Sequence, residues 1–201
     1  MNIFIISPGR TATTTFSKIL SHLKGFTSDH ESNVKKLGTT RLDYPSNHIE
    51  CDNRLIFFLA GLTEKYSRDG ILVILKRDNE LIARSYNKRW AKIGIMKTWS
   101  QGIHMRDITD NNLDVGRDFV DYCYKNLDFF KKFWKYVIEI DIENPNQGLK
   151  ELLQRLNREE QLDKILDLLK STNLNKNKSG IKVFFSNLKF NLRVFLWDMF
   201  H

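Results

Sequence analysis

The chain has 201 residues, 41% of them apolar, and 32 Lys and Arg against 24 Asp and Glu, for a formal charge of +8. That length and apolar content fit one globular domain with a real core and exclude a disordered chain, while no apolar run nears the roughly 18 residues that span a bilayer. The positive balance favours anionic partners without choosing among nucleic acid, a phosphorylated cofactor and an anionic membrane surface.

Ile3–Leu20, IFIISPGRTATTTFSKIL, is the most informative stretch. Four apolar residues predict a buried strand. It is preceded by no basic region and followed by no small-residue cleavage site, so a signal peptide is not expected. Ser7-Pro8-Gly9-Arg10 predicts a tight turn, and Thr13–Leu23 an amphipathic helix ended by Gly25. A strand, a turn and a helix start in that order make an anion site, because the first helical N–H groups lack partners and carry partial positive charge. Gly9 allows close backbone approach, Thr11, Thr13, Thr14 and Thr15 offer hydroxyls, and Arg10 offers a forked cation.

Further along, Phe26–Ser28 reads as a short second strand leading to Asp29, His30 and Glu31, and Ser32–Ser46 as a polar loop. Asn53–Tyr66 has helical spacing. Ile71–Leu75, ILVIL, is a continuous apolar run, as in a strand buried on both faces, and Asn79–Lys92 is helical. Ala91–Asp114 reads as an irregular insertion, Val115–Lys135 as a long aromatic helix and Tyr136–Ile140 as a further strand. Gly148–Asn157 and Glu159–Leu169 read as two short helices and Ser171–Gly180 as a basic loop. Ile181–Phe200 reads as an amphipathic, basic helix that docks on the core or meets a membrane surface or a second subunit.

Strands alternating with helices predict a single α/β domain over 1–201, with a mostly parallel central sheet flanked by helices. Ligands in such folds lie beyond the carboxyl ends of the strands. That directs attention to Ser7–Thr15, Asp29–Glu31, Arg77–Ser85 and Asp141. Cys51 and Cys123 follow no metal spacing and read as buried thiols of a reducing compartment. The first loop differs from a nucleotide-binding P-loop, G-x-x-x-x-G-K-S/T, because Arg10 stands near the place of the Lys. In the second motif, ILVILKRDNELIARSY, a strand ends in Arg77-Asp78 and Ser85 follows eight residues after Arg77.

Together the two motifs resemble the sulfotransferases that use 3′-phosphoadenosine 5′-phosphosulfate (PAPS). In that family a strand–loop–helix, often P-R-S/T-G-T-S/T, binds the 5′-phosphosulfate. The matching residues here are Pro8, Gly9, Arg10, Thr11, Ala12, Thr13 and Thr14. A later strand ending in Arg-Asp-Pro, with Ser eight residues after the Arg, binds the 3′-phosphate; here Arg77, Asp78 and Ser85 match, with Asn79 in place of Pro and Ala12 in place of a loop Gly. Lys176 and Lys178 lie where a basic loop of the family closes over the 3′-phosphate, and His48–Leu62 matches in outline. The likeness covers roughly the first 90 residues.

The resemblance implies a P-loop-NTPase-like sulfotransferase architecture and transfer of a sulfuryl group from PAPS to a hydroxyl, with a carbohydrate or small-molecule acceptor favoured. Adenosine 3′,5′-bisphosphate (PAP) is then the product, and neither metal nor nucleic acid is required. Arg10 would face the leaving phosphate, and Glu31, then His30, would serve as base. Glu50 is a further carboxylate candidate, and Trp90, Trp99, His104 and Arg106 would line the acceptor side. The expected location is cytoplasmic, with a membrane-peripheral position open through 181–201. Two rival readings stand beside this one: a P-loop kinase or other nucleotide-binding protein, and a non-catalytic anion-binding module on the same fold.

Overall fold

The computed structural model describes residues 1–90, 94–106 and 112–172, and these fall into two compact units. The predicted 181–201 helix and Lys176 and Lys178 lie outside the described residues. Of the described residues, the first unit holds Met1–Asp78 and 121–172, and the second holds those within Asn79–Val120.

The first unit is built on five parallel strands, β1 (Ile3–Ile6), β2 (Thr27–His30), β3 (His48–Cys51), β4 (Ile71–Lys76) and β5 (Tyr136–Asp141), in the order β2-β3-β1-β4-β5. The α/β class with a parallel sheet is therefore as expected. Two strands differ from expectation. β2 runs to His30 rather than stopping at Ser28, and β3 was not anticipated, because His48 and Glu50 break its apolar run. Both are nonetheless buried, with their polar atoms paired. Side chains alternate across the sheet. Ile3, Ile5, Ile49, Cys51, Ile71, Val73, Leu75, Ile138 and Ile140 share one face and one apolar core, completed by helices α1 (Thr13–Leu20), α6 (Asn146–Arg155) and α7 (Leu162–Ser171). Each such residue removed from water contributes about 1.5–3 kcal/mol. At Gly148 an added Cβ would stand 2.7 Å from the Glu139 carbonyl and from Ile140 Cγ1, so glycine is what lets α6 lie this close to β5.

The opposite face is aromatic. Phe4 packs against Tyr44, Tyr66 and Trp134 at ring-centroid distances of 5.4, 4.7 and 6.0 Å. Tyr66 closes α2 (Leu59–Tyr66), which follows a 3₁₀ turn at Asn53–Phe58, so the expected continuous helix is divided at Phe58. The outer strands carry polar residues: β2 alternates exposed and half-buried positions, and β5, otherwise apolar, exposes Glu139 and Asp141.

The second unit contains α3 (Asn79–Asn87), α4 (Gly94–Lys97), a π-helical turn at Thr98–Ile103 and the first part of α5 (Leu113–Phe130), whose remainder belongs to the first unit. The expected irregular insertion is thus partly helical. Tyr86 and Trp99 both pack edge-on against Phe119, at 5.6 and 5.4 Å. Gly116 sits against Ala83, where a Cβ would lie 3.2 Å from the Ala83 carbonyl oxygen. No described helix is long and apolar enough to cross a membrane.

On α3, Glu80 accepts from Arg84 Nε at 2.8 Å and from Arg117 Nε and Nη2 at 2.8 and 2.9 Å. The hydrogen bonds from Arg117 and then Arg84 hold its carboxyl down to about 2. A depressed carboxylate stabilises the fold above the ordinary Glu value of about 4.3, and that contribution is lost as protonation sets in toward pH 2. The melting temperature of the wild type should therefore exceed that of Glu80→Gln at neutral pH. The gap should close as pH falls from about 4 to about 2, read by circular dichroism.

Candidate anion site at the end of the central strand

β1 is fully buried between β3 and β4, and the chain leaves it into the loop Ser7–Ala12. From β1 the chain passes to β2 on one side of the sheet; from β4 it passes to β5 on the other. The crevice where such connections diverge, beyond the carboxyl ends of the strands, is where open α/β sheets bind ligands. The two segments at this point are the first loop and Arg77.

The loop is held from within. Ser7 and Thr11 are buried with their hydroxyls 2.5 Å apart, and Ser7 Oγ accepts from the Gly9 N–H at 3.1 Å. Gly9, Arg10 and Ala12 adopt φ of 89°, 61° and 63°. Ala12 is the residue before α1, and its carbonyl accepts from the Thr15 and Phe16 N–H groups at 2.8 and 3.0 Å. The backbone at Ala12 is left-handed, a conformation that Ala adopts at a cost of roughly 1–2 kcal/mol. α1 starts with no side-chain cap and no acidic residue in its first turn. Its positive end is left for an outside anion.

Arg77, just past β4, donates from Nη1 to the Arg10 carbonyl at 2.8 Å. Its Nε is buried without a hydrogen-bond partner. A buried guanidinium donor left unsatisfied beside a helix start is the kind of group an anion completes. The loop residues Pro8 to Thr14 and Arg77 are thus together in the first unit, whereas Ser85 stands on α3 in the second.

His30 ends β2 on the α1 side of the sheet, and its Nε2 lies 3.2 Å from both Thr13 Oγ1 and Thr14 Oγ1. Glu31, the next residue, has a left-handed φ of 56° and is ion-paired to Arg54. Of the two base candidates, His30 touches the first turn of α1 and Glu31 is tied to a cation. Glu50 is fully buried. It accepts from the Ser32 N–H at 3.0 Å and from the Ser32 hydroxyl, and it lies 3.2 Å from His48 Nε2. His48 Nδ1 is 2.8 Å from the Thr27 hydroxyl.

Next to Glu50, Asp52 accepts from Arg41 and, at 2.7 Å, from the Arg54 N–H. Burial pushes the Asp52 carboxyl up, and the Arg41 hydrogen bond and charge offset only part of that rise. Arg41, Arg54, Ser32 and His48 were missed from sequence; their partners are distant in the chain, and no local spacing marks them. Burial also raises both thiols, Cys51 and Cys123, which are free and inert.

On the expected acceptor side, Trp99 is buried with Nε1 donating to Asp118 at 2.8 Å, and His104 Nε2 lies 3.1 Å from the same carboxylate. Asp141 accepts from the Glu143 N–H at 2.9 Å. Among the described residues, no group of three or more His, Cys, Asp or Glu is placed to hold a metal ion. No protein-family model, curated protein or solved structure matches this chain.

Ala12→Gly should relieve the left-handed strain while loosening the unfolded chain by about 0.4–1 kcal/mol. A net gain in stability of up to about 1 kcal/mol is expected from the midpoint of urea unfolding. A loss would show that the Ala12 methyl packs favourably enough to outweigh the strain.

Proposed function

We propose that this protein is a PAPS-dependent sulfotransferase that moves a sulfuryl group to a hydroxyl, with a carbohydrate or small-molecule acceptor. The observation that carries the reading is the joining of two anion-binding segments at the divergence point of the sheet. Arg77 Nη1 grips the carbonyl of Arg10, and its buried Nε still lacks an acceptor. The donor has phosphate charge at both ends of its nucleoside, and a chain that binds it needs two such segments.

The geometry supports the following roles. The Ser7–Ala12 loop and the start of α1 hold the phosphosulfate end, where N–H groups and the helix dipole meet negative charge. Arg10 and these N–H groups face the charge left on the phosphate as the sulfur–oxygen bond to it breaks. Arg77 takes the 3′-phosphate. His30 becomes the first choice for base, ahead of Glu31, because its Nε2 already meets two hydroxyls at the loop. An acceptor hydroxyl that takes the place of the exposed Thr14 hydroxyl would pass its proton to Nε2 as its oxygen bonds to sulfur. Glu31, held by Arg54, orients the strand end on which His30 sits.

Thermal unfolding with adenosine 3′,5′-bisphosphate at 100 times its dissociation constant should show about 2.7 kcal/mol of added stability. Arg77→Ala should abolish most of that gain. Stabilisation by magnesium–ATP but not by the bisphosphate would sink the sulfotransferase reading in favour of a kinase-like one. Once an acceptor is found, His30→Ala should lower kcat by about 10²–10⁴-fold with bisphosphate affinity retained. Unchanged kcat would move the base elsewhere.

A further inference from the structure

Far from the anion loop, the end of α5 carries Leu127-Asp128-Phe129-Phe130-Lys131-Lys132-Phe133-Trp134-Lys135. Phe129 and Phe133 are 54% and 56% exposed, unusual for the largest apolar side chains of a soluble surface. They are not loose. Phe129 packs edge-on against Phe130 at 5.3 Å and against Phe133 at 5.5 Å, so three rings form one cluster.

The turn that presents them is pinned on both sides. Trp134 is buried and donates from Nε1 to Thr63 Oγ1 at 2.9 Å, and the Lys135 N–H donates to the Ser67 carbonyl at 3.0 Å. Lys131 bridges Asp128 and Glu139 at 2.7 and 2.8 Å. Asp128 and Glu139 are therefore paired with cations, by Lys131 and, at 4.0 and 3.9 Å, by Lys76. Lys132 and Lys135 are exposed; Asp128 acts on Lys132 and Asp69 on Lys135 through charge, without an ion pair within 4.0 Å. Lys132 Nζ stands 5.9 Å from the Phe129 ring centre and Lys135 Nζ 5.0 Å from that of Tyr136, so cationic and apolar groups face outward side by side.

We infer that this Phe129–Phe130–Phe133 cluster with Lys132 and Lys135 is a docking surface for an anionic lipid bilayer. Rings entering the headgroup boundary remove exposed apolar area from water, and flanking ammonium groups meet the negative surface. Charge decides against the other two occupants. A second copy would set Lys132 and Lys135 against the same lysines. The chain's own 181–201 segment carries Lys182, Lys189 and Arg193 against Asp198 alone, so it has the same sign as the patch. The patch precedes β5 and so lies at the amino ends of the strands, whereas the loop after β1 lies at their carboxyl ends. Membrane docking here would leave the anion site open to solvent.

Sedimentation of the full chain with phosphatidylcholine vesicles, with and without phosphatidylserine, tests this. The wild type should sediment with the phosphatidylserine vesicles, less so as salt rises. Phe129→Ser/Phe133→Ser and Lys132→Glu/Lys135→Glu should each weaken binding by about tenfold or more, with unchanged circular dichroism. The inference is overturned if the wild type stays in the supernatant. It is equally overturned if either folded variant sediments like the wild type, which would assign the membrane to another segment. A wild-type dimer that Phe129→Ser/Phe133→Ser dissociates, without vesicle binding, also overturns it. Should the Phe variant fail to fold, the surface Lys pair alone decides. None of these residues belongs to the anion loop, so the result is independent of the proposed activity.

Discussion

β1 has a parallel partner on each side and no exposed residue, and much of the structure follows from that enclosure. A chain leaving such a strand must turn at once above the sheet, in a space bounded by the ends of β3 and β4. The turn is made with three left-handed residues in four positions and is tied inward by Ser7 and Thr11. The helix that follows begins uncapped, aimed at the crevice. β4 is paired in register with β1, Ile6 beside Ile74, and runs on to Lys76, so Arg77 starts beyond the end of β1 and its Nη1 reaches the Arg10 carbonyl. The meeting of the first loop with Arg77 is a by-product of that register.

The polar groups on the other side of β1 are of a different kind. Glu50 and Asp52 sit at the end of β3 with no exposed surface, and the segment between β2 and β3 is arranged around them: Ser32 on Glu50, Arg41 on Asp52. Buried ion pairs gain little net stability, since desolvation cancels much of the attraction, but removing one partner strands the other. Their effect is to hold a polar loop in one conformation over the sheet. The Glu31–Arg54 pair extends the same arrangement toward His30.

Sequence legibility followed burial chemistry. β1 and β4 announce themselves because strands covered on both faces are apolar throughout. The tight turn after β1 was readable from Pro8 and Gly9, whereas the left-handed backbone at Ala12 disfavours Ala and leaves that residue without a structural explanation. β3 was illegible because His48 and Glu50 look like surface residues; only the tertiary partners Thr27 and Ser32 make them tolerable inside. β2 was misplaced at its end because an outer strand is half solvated and carries no continuous apolar signal. Glu31 was legible as a carboxylate near the site, but its pairing with Arg54, 23 residues away, was not.

An all-parallel sheet contains no hairpin, so none of its pairings can form between neighbours joined by a short turn. β1 precedes both of its partners in the chain and must wait for β3 and then for β4, some of the most distant pairings in the sheet. Until they arrive, Ile3-Phe4-Ile5-Ile6 is an unpaired, wholly apolar strand with two open edges. Long-range parallel pairing is slow and leaves such segments open to self-association. The strand that organises the finished structure is thus its main aggregation hazard before the structure exists. The charged residues on the outer strands, Asp29 of β2 and Glu139 and Asp141 of β5, guard the completed sheet but offer no protection at that stage.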